Sequence, residues 1–285
     1  MKGRRQGGAA LILVIWLVVM LAALVGAFAL AARIEYMQGR TLHSGVAAEQ
    51  AARAGLEYAM TRLAEPDPML RWIPDGRLNR FAFDGAGIEV RIVDESGKID
   101  LNGADATLLS ALLRVTGAEQ AHADAIAAAI VDWRDPDDLT QPQGGAEDPQ
   151  YAAAGLPYGA KDAPFETVAE LLQVLGMTPA LFAEVESDLT VHTGLPGPDT
   201  RFSGPRVLMA MGIDPEPVLA ARELPLTPEQ AMQVGGGSGT YSIDSRARLG
   251  DGRQAVLRAV VRSGASGVPG SAYTVLRWEE GARPR

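Results

Sequence analysis

The chain has 285 residues, room for one or two domains with cores of their own, and its 47% apolar and 21% charged residues describe a folded protein. A net charge of −9, with no basic patch beyond the first five positions, argues against partners that present nucleic acid phosphates. Cysteine is absent, which excludes disulfides and thiolate metal sites, whereas an acidic, oxygen-rich surface suits hard divalent cations such as calcium.

The first predicted element is a helix. Every residue from Ala9 to Ala32 is apolar or glycine, a run of about 36 Å as a helix and enough to cross a bilayer core. An export signal has a shorter apolar region with its small-residue cut after it; here Gly7 and Gly8 come before the run. Lys2, Arg4 and Arg5 precede it too, which holds the N-terminus in the cytoplasm and sends the bulk across. Residues 33–64 contain no proline and are rich in Ala, Leu, Glu, Gln and Arg, so the helix continues beyond the membrane. Gly39, Gly45 and Gly55 weaken it locally, and Pro66 and Pro68 stop it. The whole rod, from Ala9 to about Ala64, would measure roughly 80 Å.

Ile88–Val93 alternates apolar and polar residues, the period of a half-buried strand, and Asp94-Glu95-Ser96-Gly97 turns the chain. Three more strands are expected near the end, at Tyr241–Leu249, Ala255–Ser263 and Ala272–Glu279, the first two joined by an Asp251-Gly252 turn. Residues 235–239 (GGGSG) read as a linker, because no Gly-Lys-Ser/Thr follows to make a phosphate loop. Between the first strand and the last three lie about 125 residues of helical character. They form three pairs: Ala104–Gly117 with Ala118–Trp133, Phe165–Gly176 with Met177–Val185, and Gly204–Gly212 with Ile213–Arg222. The expected fold class is α+β: a long N-terminal helix and a small antiparallel sheet, with a large α-helical domain inserted between the strands. The boundaries expected are 1–8 for a leader, 9–32 for the transmembrane helix, and 33–97 for its continuation and first strand. The inserted domain then takes 98–223, and the closing strands 224–285.

A basic leader, a glycine, then an apolar helix that continues amphipathically resembles the type IV pilin-like N-terminus. That resemblance implies cleavage after Gly8 by a prepilin peptidase and methylation of the new N-terminus, Ala9. Most members carry glutamate at the fifth mature position, where this chain has Leu13. A carboxylate in lipid is costly without a partner, and its loss resembles one minor member, the K pseudopilin of type II secretion systems, which stands at the pseudopilus tip. Ile130-Val131-Asp132-Trp133-Arg134-Asp135-Pro136-Asp137, Gly144–Tyr151, Pro157-Tyr158, Phe165–Leu171 and Leu189-Thr190-Val191 resemble that family's central block in order and spacing. Gly197–Phe202 departs from it, standing where the family usually has an Asn-rich segment. The resemblance implies an inner-membrane protein with most of its mass in the periplasm. Its implied partners are the pseudopilus, minor pseudopilins of the I and J types and the prepilin peptidase, with no nucleic acid, and its implied role is to initiate and cap the filament.

One loop carries candidate chemistry. Asp132, Asp135, Asp137, Asp138, Glu147 and Asp148 fall within residues 132–148, beside two prolines and two glycines. Such carboxylates repel one another unless a cation neutralises them, and calcium accepts six to eight oxygens from irregular loops. Without nearby His or Cys, zinc is a poor fit. The spacing is not that of an EF-hand, so a solvated acidic loop is the plainer alternative, and Asp132 could instead brace the end of its helix. The resemblance implies calcium here and carries the ligands onto Asp135, Asp137, Glu147 and Asp148, with Asp132 and Asp138 as weaker members. No catalytic residues are expected: His43, His122 and His192 are scattered, and no nucleophile elbow or phosphate loop occurs.

Two other functions are compatible with parts of the chain. Lys98–Ala104 followed by Leu108-Leu109 resembles the start of a helix-hairpin-helix DNA-binding module. Its three turns lack the Gly-hydrophobic-Gly hairpin that grips phosphate, and a membrane-anchored DNA-binding protein would also need a less acidic surface. A signal-anchored periplasmic adaptor is the other alternative, and it would leave the leader uncut.

Overall fold

The computed structural model describes residues 9–224, 227–234, 237–264 and 272–281. Helix α1 (Ala9–Leu63) is continuous and begins at the residue expected to follow the cut; Gly8 itself lies outside the described residues. Among the described residues, nothing covers its first half, and large side chains from Leu11 to Leu30 are more than half exposed. This separates it from the core helix of a soluble protein, and the helix is long and apolar enough for a single-pass anchor.

From Ala48 onward, α1 lies on a five-stranded antiparallel sheet. Its strands are β1 (Asp75–Phe83), β2 (Ala86–Asp94), β5 (Thr240–Arg248), β6 (Gln254–Ser263) and β7 (Tyr273–Glu280), ordered β1-β2-β5-β6-β7. Leu56, Ala59, Met60 and Leu63 of the helix bury against Ile88, Val90 and Ile92 of β2 and against Ile243, Leu257 and Val261. The alternation seen in residues 88–93 points these three β2 residues at the helix and turns Glu89 and Arg91 away. Small residues let the two layers approach. A side-chain carbon at Gly55 would run into Ser245 Oγ and lie 2.9 Å from Ile88 Cγ2. This glycine, read from sequence as a weak point of the helix, is where helix and sheet come closest.

Strand β1 was not expected. Its sequence DGRLNRFAF lacks a clean period, and none of its residues is buried, because it forms one edge of the sheet. Asp84-Gly85 makes the tight turn to β2, with positive φ at both residues.

The excursion between β2 and β5 contains a short parallel pair near its start and past its middle, β3 (Ile99–Asp100) with β4 (Leu189–Thr190). Between them lie α2 (Ala106–Val115), α3 (Gln120–Arg134), α4 (Asp148–Ala153) and α5 (Pro179–Val185); α6 (Pro205–Ala210), α7 (Pro215–Glu223) and α8 (Pro228–Val234) follow. Two of the expected pairs are present as α2 with α3 and α6 with α7. In the remaining pair the first member is a six-residue 3-10 turn, Val168–Gln173, not a helix. Helix α8 falls in the segment expected to hold only strands. A second core, centred on Leu109, Leu112, Ile126, Ile130, Trp133 and Phe165, is separate from the one beneath the sheet.

Two buried carboxylates, Asp94 and Glu95, fasten the junction to the sheet, and a third, Asp100, ties β3 to the chain just after β4. Asp94, at the end of β2, accepts from Ser96 N and Oγ and from Ser238 N and Oγ, at 2.6–2.8 Å. The expected linker is therefore pinned at Ser238. Glu95 accepts from Lys98 Nζ, Ser242 Oγ and Thr190 Oγ1, each at 2.5 Å, tying β5 of the sheet to the start of the excursion and to β4. Asp100 Oδ2 accepts from Thr193 N, Thr193 Oγ1 and Gly194 N at 2.8 Å.

The register along α1 shows which end the insertion occupies. A side chain at Gly45 would lie 3.5 Å from the Arg253 guanidinium, in the β5–β6 turn, whereas Gly55 faces Ser245 midway up β5. The β5–β6 turn is thus nearest the apolar half of α1. Asp94 and Tyr241, paired at the other end of β2 and β5, are furthest from it. The insertion leaves and returns at that far end.

Candidate metal centre

Helix α3 delivers the acidic loop. Its apolar face buries Ile126, Ile130 and Trp133, and Asp132 comes out on its last turn, fully buried. The Asp132 carboxylate accepts from Gln141 N at 3.2 and 3.3 Å, bracing the loop from inside. Burial raises its pKa, the Gln141 N–H opposes this, and Asp135 adds repulsion. Gly145 is required by closeness, since any side chain there would collide with Asp132 Oδ2.

Asp135 follows at the helix end, with its Oδ1 buried and without a hydrogen-bond partner. Burial and then the Asp137 charge push its carboxyl up. Asp137 Oδ1 accepts from Leu139 N at 2.9 Å in a local turn. Asp138 is exposed. Glu147, at the start of α4, is only 3% exposed, and its Oε1 has no partner. Burial, then Asp132, Asp135, Asp162 and Asp138, raise its pKa to about 7. Asp148 is exposed on the first turn of α4, and its Oδ1 packs against Gly159, where a side chain would collide with it.

The nearest cation in sequence does not relieve this charge. The Arg134 guanidinium turns back to donate to the carbonyls of Leu101 and Ala104, the latter at 2.6 Å. Below the loop, Trp133 lies 6.0 Å from Tyr151 and 6.2 Å from Phe165, and Tyr151 lies 5.7 Å from Tyr158, all measured between ring centres. This aromatic floor replaces water on one side of the carboxylates and makes their ionised forms costly.

The structure thus brings Asp132, Asp135 and Glu147 into one electrostatic group, with Asp138 at its margin. Asp137 acts on the group through Asp135, and Asp148 faces the segment around Gly159. The shell is open: among the described residues, no three carboxylate or imidazole side chains close together as a metal cage. The donors fit a hard cation. Two buried carboxylate oxygens lack any proton donor, and His122 and His192 stand outside the group. Asp162 was absent from the set named from sequence. No local spacing connects residue 162 with 132–148; only the fold does.

Residues 88–194, which include β2 and the whole acidic loop, match the family described as type II secretion system protein K. The protein K match begins in the sheet at Ile88 and ends just beyond β4, so it covers the junction carboxylates Glu95 and Asp100 as well as the acidic loop. The architecture as a whole is similar to a chain in the crystal structure of the GspK–GspI–GspJ complex from the type 2 secretion system of enterotoxigenic Escherichia coli. The TM-score is 0.53 at 16% identity, over 88% of this chain and 99% of that one. The long helix, antiparallel sheet and inserted helices are therefore the K-type pilin-like fold. No curated protein matches the chain by sequence.

Proposed function

We propose that this chain is a minor pseudopilin that stands at the tip of a type II secretion pseudopilus, where it starts the filament and blocks growth beyond itself. The observation that carries this reading is the place of the insertion. It is attached at the end of the sheet furthest from the apolar half of α1. A subunit stacked above would have to occupy that volume, while the exposed lower helix stays free to bundle with helices beneath. The role is structural, not catalytic.

The membrane steps follow from the same rod. The chain is held in the inner membrane with its head in the periplasm, is cut after Gly8 by a prepilin peptidase, and is methylated at Ala9. Its partners are pseudopilins of the I and J types, a reading supported by the complex in which the similar chain was solved. Leu13 removes the acidic group that would otherwise need a partner in lipid, as suits a subunit with no neighbour above it. Calcium bound by Asp135, Asp137, Glu147 and Asp148, with Asp132 and Asp138 around them, would neutralise the loop and hold the inserted domain rigid. Overproducing the chain in secreting cells should shorten pseudopili; longer filaments would contradict the capping role.

A further inference from the structure

We infer that the end of the sheet nearest the apolar half of α1 is a site for the phosphate of an anionic phospholipid headgroup, held by Arg80, Arg246 and Arg248. The contact lays the unassembled head against the membrane surface. The inference rests on the membrane-anchor reading of α1, to which it adds a second contact with lipid, made by the head.

The chain has no run of basic residues beyond its first five positions; the sheet assembles a basic cluster by register. Arg80 of β1 stands opposite Glu89 of β2, which stands opposite Arg246 of β5. One row nearer the β5–β6 turn, Arg248 lies between Gly87 and Gln254. Ser245 and Ala247 alternate with these arginines and are buried on the helix side, so Arg246 and Arg248 project from the face turned away from α1. The three arginines line a cavity of about 300 Å³ to which Glu89 contributes the one carboxylate. Glu89 is taken by Arg80 Nε at 2.9 Å, and that hydrogen bond above all holds its pKa below the ordinary value. Among the described residues, no salt bridge reaches Arg246 or Arg248, and Arg246 Nε is buried without a hydrogen-bond partner. Two cationic charges are left over around one cavity. A guanidinium fork matches a pair of phosphate oxygens.

The place of the cluster selects a lipid phosphate. Arg253, in the β5–β6 turn, lies beside Gly45, and so about 20 Å along the helix beyond Ala32. An apolar run of about 36 Å exceeds a bilayer core of about 30 Å and tilts by roughly 30° to fit. With the outer face of the sheet on the low side, that height shrinks to about 16 Å, and the sheet, about 10 Å from the helix axis, drops about 5 Å more. Extended arginine side chains then reach a headgroup layer about 5–7 Å thick. The inserted domain favours the same pose. Residues 98–223 carry 20 acidic and seven basic side chains, and they leave the sheet at its far end, so an anionic surface repels that end upward.

The test uses the full chain inserted in vesicles of phosphatidylcholine with or without phosphatidylglycerol. The chain has no cysteine, so Gly87→Cys, at an open position in the cluster, takes a fluorophore at one place. Lipid bearing a nitroxide on its headgroup quenches that fluorophore on contact. Quenching should appear with phosphatidylglycerol and fade in phosphatidylcholine alone or at high salt. Each arginine replaced by glutamine should lower the bound-to-free ratio of the head by roughly fivefold, so Arg80→Gln, Arg246→Gln and Arg248→Gln together should abolish quenching. Arg248→Gln alone changes an exposed side chain and should show its single step without loss of fold. Arg262→Gln removes the same charge from the same face at its other end and should leave quenching unchanged. Equal quenching in wild type and the triple variant, or none in inserted wild type, would overturn the lipid site while the anchor stands. A chain that fails to float with the vesicles would overturn both.

Discussion

The two halves of this molecule are stabilised in different ways. The pilin-like half is a helix laid on a sheet, its centre made of Leu56, Met60, Ile88, Val90 and Ile243, with its charged contacts, Arg53 to Glu280 and Glu57 to the Tyr273 hydroxyl, made to β7 at the sheet edge. The inserted half has an apolar core as well, but its α3 runs directly into buried carboxylates, two of which have oxygens without a hydrogen-bond donor. Apolar burial can hold the first half together unaided. If the proposed calcium joins the second, one chain should show one ion-independent body and one ion-dependent body.

That contrast can be broken in four ways. The largest effect is expected from Leu56→Ala, which empties a fully buried position between helix and sheet. It should destabilise the pilin-like half by about 2–5 kcal/mol, and calcium should not restore it. Rescue of its melting temperature by calcium would mean that the halves are not independent.

Stripping divalent ions with EDTA should act in the opposite place. At free calcium about a hundredfold above its dissociation constant, removal should lose about 3 kcal/mol. In hydrogen exchange, amides of residues 130–165 should lose protection while those of α1 beside the sheet keep theirs. Uniform loss across both halves would contradict the division.

The junction supplies a test by pH. Burial opposes ionisation of Glu95, but the Lys98 ammonium and the hydroxyls of Ser242 and Thr190 outweigh it, so its pKa lies below the ordinary value of 4.5. A carboxyl lowered on folding stabilises the fold at pH above its unfolded value. That contribution is lost as the pH falls below 4.5 and through the folded value. Glu95→Gln should therefore cost about 1–3 kcal/mol at neutral pH and flatten the acid limb of the stability curve. An unchanged acid limb would remove Glu95 as the tie between the halves.

The smallest effect is expected at Gly55→Ala. Alanine is the better helix former by about 1 kcal/mol. Its methyl, however, meets Ser245 Oγ and Ile88 Cγ2. Overpacking should exceed the helical gain and leave a net loss of about 1 kcal/mol, read as a lower melting temperature. A stabilised variant would show that the helix–sheet contact is looser than its geometry implies.

The same contrast explains what could be read from sequence. Helix α1 and strands β2, β5, β6 and β7 were legible because each has a dominant period or an unbroken apolar run. Strand β1 was not, because as an edge strand it buries no residue and leaves no alternation in Leu78-Asn79-Arg80-Phe81. The parallel pair Ile99–Asp100 with Leu189–Thr190 is two residues long and joins positions ninety apart, which no local pattern encodes. Segment 168–173 has the composition of a helix but closes as a 3-10 turn, with Leu171 packed into the inserted core. In the candidate site, the density of carboxylates in 132–148 was visible as charge. Asp162 was invisible, since it joins them only through the path of the chain beyond α4. Ser238 was hidden for a related reason: a Gly-Ser run looks unattached until the buried Asp94 that holds it is in view.

The claim that carries most of this account is that a head mounted on the distal end of an anchored rod admits no subunit above it. Gold labelling of a tag placed in the α2–α3 turn at exposed Gly117, viewed on isolated pseudopili by electron microscopy, tests it directly. The account predicts label at one end of each filament and none along the shaft. Label repeating along the shaft would show that subunits do stack over the inserted domain, and the tip position would be wrong.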